Sequence, residues 1–179
     1  IANGWHLKTK IAIIATLIGS SLTFLIGFLV IQLFHQQGLH YEEMELVTRP
    51  PRILFLSSLL IGCVGAVMDV SMTIISSLFE LKETQPNTTL IDLNRAGKKI
   101  GEDIMGPMIN IMFFSYLSGA IPLVLIFLRN GMSFNYTFSI VLSLEIARAL
   151  VGSIGIILAV PISIKVTQFF LVRGGHYER

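Results

Sequence analysis

The chain has 179 residues, of which 53% are hydrophobic and 13% charged, and its mean hydropathy is +0.75. A soluble domain carries about 25% charged residues, so this composition excludes an ordinary water-soluble fold and points to an all-α, polytopic transmembrane helix bundle. The net charge of +2 comes with no basic stripe, which excludes a nucleic-acid partner, and the single cysteine, Cys63, excludes a disulfide framework or a thiolate metal site.

Four apolar segments follow in chain order: Ile11–Phe34, Ile53–Leu81, Ile104–Leu128 and Tyr136–Leu171. A membrane span needs about 20 residues, so the whole chain reads as one transmembrane domain in contact with the lipid bilayer. The first segment carries only hydroxyl residues and Gln32 among its polar groups, and is expected to be a supporting span. The loop after it holds His35, His40, Glu42, Glu43 and Glu45 without a metal-ligand spacing, and reads as a solvated loop.

The second segment contains the most informative residue. Asp69 lies near its middle with no cation in the run. A carboxylate at that depth costs roughly 2.5–3.5 kcal/mol on insertion scales, and is retained where it faces protein or a water-filled path. Gly62, Ala66, Asp69, Thr73, Ser76 and Glu80 fall on one helical face, with Gly65 beside it, and Glu80 sits at the membrane edge. Two roles fit Asp69: a site for a coupling ion or proton, or a hydrogen-bonded residue that fixes helix packing.

Pro86 and Asn87 end that helix, and Thr89 with Asp92 forms a capping pattern. Leu90, Leu93, Gly97, Ile100 and Ile104 then mark one side, so a short amphipathic connector helix is expected at the membrane surface. The third segment opens with the membrane-edge residue Asp103 and carries Gly106 and Asn110 on the same face. Asn110 lies deep enough to need a partner. In the fourth segment Glu145 and Arg148 are neighbours at i, i+3 and can pair, either to lock helices or to gate. Gly152 and Gly155 continue that face, and with Pro161 they are expected to bend or break a segment too long for one span. The small and polar faces of these three segments are expected to meet and build the site.

Orientation follows basic residues in the short flanks. Lys8, Lys10, Lys82, Arg95, Lys98, Lys99, Arg173 and Arg179 fall on one side, and Arg49, Arg52 and Arg129 on the other. The first side, with both termini, is therefore expected in the cytoplasm.

Three blocks carry a resemblance. They are Gly65-Ala66-Val67-Met68-Asp69-Val70-Ser71-Met72 with Phe79-Glu80-Leu81-Lys82-Glu83, then Gly101-Glu102-Asp103-Ile104-Met105-Gly106 with Tyr116 to Leu123, then Glu145 to Gly155. In this order they resemble the YibE/F family of bacterial multispanning membrane proteins. Pro107 and Ile109 depart from the Thr-rich sequence common there. The resemblance implies a bacterial cytoplasmic membrane, and further apolar helices upstream. A looser pattern joins Gly65, Asp69, Glu80, the connector, Gly101 and Ile104, and resembles the transmembrane half of resistance-nodulation-division transporters and SecD/SecF proteins. In those families a mid-span carboxylate takes part in proton flow, which by analogy implies that role for Asp69 and Asn110.

Three functions compete. A proton- or ion-coupled transporter, or a subunit of one, would use Asp69 with Thr73 and Asn110. A structural or accessory subunit would use the same polar groups to hold a partner complex. An intramembrane enzyme is disfavoured, because His6, His35, His40 and His176 lie outside the spans and no catalytic constellation lies within them. No cofactor is expected. Four spans offer little surface to enclose a path, so a homo-oligomer or a pairing with a related YibE/F-type subunit is expected.

Overall fold

The computed structural model describes residues 7–33 and 51–174, so the first loop with its histidines and glutamates, and both chain ends, lie outside the described residues. Four helices fill the described chain: α1 (Leu7–Leu33), α2 (Pro51–Thr84), α3 (Leu90–Arg129) and α4 (Phe134–Gly174). All four are long and apolar enough to cross a membrane. Pro51 opens α2, a position where a missing N–H costs nothing. Gly131 (φ 80°) supplies the left-handed residue of the turn between α3 and α4.

The helices alternate in direction. α2 and α4 touch each other, and each also packs on α1 and on α3; α3 and α4 share the most extensive contact, α2 and α3 the least. The centre is apolar: Val67, Val70, Ile74 and Leu78 of α2 meet Leu93 and Met112 of α3 and Ile156, Ala159, Val160 and Ile164 of α4. Ile11, Ala12 and Ala15 of α1 pack on Ile75 and Phe79. Two buried hydroxyls bond within their own helices, Thr23 to the Gly19 carbonyl and Thr167 to the Ser163 carbonyl, each at 2.7 Å, which keeps them satisfied without water.

Two expectations about helix boundaries are corrected. The amphipathic segment after Thr89 is helical, but it is the first part of α3 and runs without a break into the third span, giving a 40-residue helix. At 1.5 Å per residue that is about 60 Å, twice the hydrocarbon thickness. The reason is that α4 is equally long. Gly97 lies against Ile164 and Gly101 against Val160, and these close contacts carry the packing beyond the bilayer depth. The fourth segment likewise does not break: α4 is one 41-residue helix with Pro161 inside it. Ile156, Ala159, Val160 and Ile164 flank the proline and are all buried in the centre, so packing holds both halves in line.

The extended ends of α3 and α4 lie beside the α2–α3 turn. There Gln168 donates to the Leu90 carbonyl (2.9 Å), Lys8 pairs with Glu83 (2.8 Å), and Lys82 donates to the carbonyls of Pro86 (2.6 Å) and Thr88 (3.0 Å). Lys165 is exposed at the level of Gly97 and belongs to this basic end, although the sequence places it inside an apolar run.

Candidate functional site

The polar groups of the three spans divide between two places. The first is the outer groove between α2 and α3. Glu80 of α2 and Asp103 of α3 line it, and Asp69 and Thr73 of α2 and Gly106 and Asn110 of α3 are exposed further along the same two helices. The α2 helix turns its bulky residues, Val67, Val70, Ile74 and Leu78, toward the other helices, so the face that carries Asp69 points outward. The faces of α2 and α3 thus border one groove, while that of α4, with Glu145 and Arg148, lies apart from it, and large apolar side chains fill the centre between them.

Register sets the depth of these groups. Val67 meets Gly19, in the middle of the apolar stretch of α1, so Asp69 lies near mid-membrane. The Tyr116 hydroxyl lies against Gly62, and Ser77 and Glu80 line one groove with Lys99 and Asp103. The antiparallel pairing between those two points puts Asp69 level with Asn110, and Thr73 near Gly106. The groove at the basic end has a volume of about 510 Å3 and is also lined by Thr84. Thr73 Oγ1 donates to the Asp69 carbonyl (2.8 Å), so it bonds the backbone of that residue and not its carboxylate. Gly65 and Gly106, expected to pack against other helices, have no atom within 4 Å of where a side chain would begin; Gly119 is equally open.

The second place is inside the bundle, toward the opposite end. Arg148 donates to Glu145 on the same face of α4, and its guanidinium stacks 4.9 Å from the Phe55 ring of α2. Arg148 is buried, and its Nε donates to no acceptor among the described residues. The buried hydroxyl of Tyr116 is also unpartnered. Gly152, one turn beyond Arg148, packs on Met112, and Gly155 packs on Thr23 of α1. Ala66 lies half-buried beside the core. Sequence reasoning missed Tyr116; the signal for it was Gly62, whose missing side chain makes room for the hydroxyl.

Electrostatics at the basic end are local. Asp92 accepts from the Thr89 hydroxyl (2.6 Å), which together with the Thr89 backbone N–H holds its carboxyl below the usual carboxylate range. No group of three or more metal-ligating side chains occurs among the described residues.

No curated protein and no solved structure matches the chain. Residues 1–173 match the family described as YibE/F-like protein. With four helices long and apolar enough to span a bilayer, the chain is an integral membrane protein and belongs to the YibE/F family.

Proposed function

We propose that the chain is the membrane-embedded subunit of a proton- or ion-coupled transporter, with Asp69 as the coupling carboxylate and Asn110 beside it as a hydrogen-bonding partner. The observation that carries this reading is the position of Asp69: near mid-membrane, on the outward face of α2, exposed in the α2–α3 groove. A carboxylate cannot face hydrocarbon there without a cost of several kcal/mol. The groove is therefore covered, and a second copy or a related YibE/F-type subunit is the cover that a coupling path requires. α3 fits this, since it is the least buried of the four spans, with 17% of its most apolar window inside the bundle. The groove also opens at the basic end between Glu80 and Asp103, which supports a route from water to Asp69. Lys165 adds to the basic excess at that end, in support of placing it in the cytoplasm of a bacterial inner membrane. The loose sequence resemblance to resistance-nodulation-division and SecD/SecF proteins would fit the same mechanism.

An accessory scaffold is the second reading, favoured by the open glycines Gly65, Gly106 and Gly119, which would admit a partner helix. Asp69→Asn separates the two. It retains size and hydrogen bonding but removes the titrating proton. In proteoliposomes with a pH gradient, the coupled reading expects normal assembly and no proton flux. The scaffold reading expects Asn to serve as well as Asp, and only Asp69→Leu to harm assembly.

A further inference from the structure

The polar cluster inside the bundle is distinct from the Asp69 groove, and its chemistry is that of a donor site. Two buried donors, Arg148 Nε and Tyr116 Oη, have no acceptor among the described residues. They share one place. The register that sets Met112 against Gly152 puts Tyr116, one turn on, opposite Arg148, one turn back, and the charges of Arg148 and Glu145 both act on the Tyr116 hydroxyl. The guanidinium is held on two sides, by Glu145 at Nη1 and by the Phe55 ring on its face. Its Nε edge is left for a second acceptor, a geometry in which arginine commonly holds an anion. Gly62 seats the hydroxyl. Leaving two donors unmet in a low-dielectric interior is costly, which is why each such group in a protein calls for an explanation.

We propose that Tyr116 and Arg148 bind a small monovalent anion, chloride being the simplest, and that one proton is taken up on Glu145 with it. Charge sets this coupling. With Glu145 ionised, the pair with Arg148 is neutral; adding an anion alone would leave one net negative charge in a desolvated place. A proton from water that joins the Glu145 carboxylate restores neutrality, and Arg148 is then shared between a neutral acid and the anion. Among the described residues, the titratable groups at this level of the bundle are Glu145 and Arg148 of α4, Tyr116 of α3 and Cys63 of α2, and the Cys63 thiol donates to the Leu60 carbonyl. α1 carries no titratable residue between Ile11 and Leu33. Val151 meets Gly27 of α1, so the cluster lies in the half of the bundle away from the basic end. If the coupled-transport reading holds, small anions are the class of substrate this site offers it; binding itself does not require Asp69 to act.

Line broadening of the chloride NMR signal by the purified full chain tests binding directly. Saturable broadening is expected, stronger at acidic than at neutral pH. Tyr116→Phe should weaken affinity roughly tenfold, the value of one hydrogen bond to a charged ligand. Glu145→Gln, which fixes the neutral form, should retain binding and lose its pH dependence. Asp69→Asn should leave binding unchanged, so failure of the coupling reading is separable from failure here. Broadening that does not saturate, as expected if only water occupies the site, overturns the proposal. So does binding that Tyr116→Phe leaves untouched, or a pH dependence that survives Glu145→Gln.

Discussion

The two faces of the α2 helix are built from opposite materials. Inward, Val67, Val70, Ile74 and Leu78 are fully buried against α4 and α3. Outward, Gly65, Asp69, Thr73 and Glu80 are exposed, with open space beside Gly65. The same residue type does different work on the two sides. On the inner surfaces, glycine is where another side chain already stands: Val160 at Gly101, Ile164 at Gly97, Met112 at Gly152 and Thr23 at Gly155. On the outer surface of α2 and α3, Gly65, Gly106 and Gly119 meet nothing. Small residues inside record a finished contact. Small residues outside, next to a carboxylate, leave room that the described helices do not fill.

The sharpest break of this contrast targets the charged pair that lies inside among the described residues. Arg148 and Glu145 are 11% and 18% exposed at their side chains. Removing one member leaves the other charge uncompensated, which in buried pairs costs about 3–5 kcal/mol. Arg148→Gln should therefore lower stability by about that amount in detergent unfolding. The double variant Glu145→Gln with Arg148→Gln should recover much of it. A double variant no better than the single would mean that the arginine acts through packing on Phe55 and not through charge.

A smaller effect is expected from paired glycine substitutions. At Gly101 an added methyl meets Val160, whose branched side chain has little freedom to turn away. Gly101→Ala should destabilise by about 1–3 kcal/mol, as overpacking does. Gly152→Ala should cost less, because the obstacle is the flexible thioether of Met112. Gly65→Ala and Gly106→Ala should be neutral or stabilising by up to about 1 kcal/mol, through helix propensity. Both outer variants should nonetheless weaken assembly, read by crosslinking in membranes. Loss of stability at Gly106 comparable to that at Gly101 would erase the distinction between the faces.

How much of this the sequence discloses depends on the kind of signal. Four spans are legible because apolar length is a property of each segment alone, and the Thr89–Asp92 cap is legible because its partners are three residues apart. The Glu145–Arg148 pair is legible for the same reason. The fusion of the amphipathic segment with the third span is not: nothing between Ile100 and Ile104 breaks a helix, yet only the matching length of α4 requires the helix to continue. Nor does periodicity reveal which face of α2 is inside. Both a polar, small face and a bulky face can be buried among helices, and the choice depends on which one α1 and α4 fill together. Tyr116 is illegible for a related reason, since its hydroxyl gains meaning only from Gly62 and Arg148 on two other helices.

The smallest predicted effect concerns the basic end. There the start of α3 depends on Thr89. Its hydroxyl accepts from the Asp92 backbone N–H (3.2 Å), and the Asp92 carboxylate accepts in turn from the Thr89 backbone N–H (3.4 Å). Thr89→Ala removes the first of these and should cost about 1 kcal/mol. The cost should fall locally, as faster amide exchange in the first turn of α3, because Leu93 and Gly97 beyond it are buried and hold the rest. Acid should reproduce the loss without mutation. The folded-state pKa of Asp92 is depressed, through its bonds with Thr89. The cap is therefore complete above the ordinary carboxylate value of about 3.9, and is lost as pH falls through the lower folded value. In Thr89→Ala that acid step should shrink, since the hydroxyl bond that chiefly depresses the Asp92 carboxyl is gone. An equal acid step in both proteins would mean that the cap is not the pH-sensitive feature of this end.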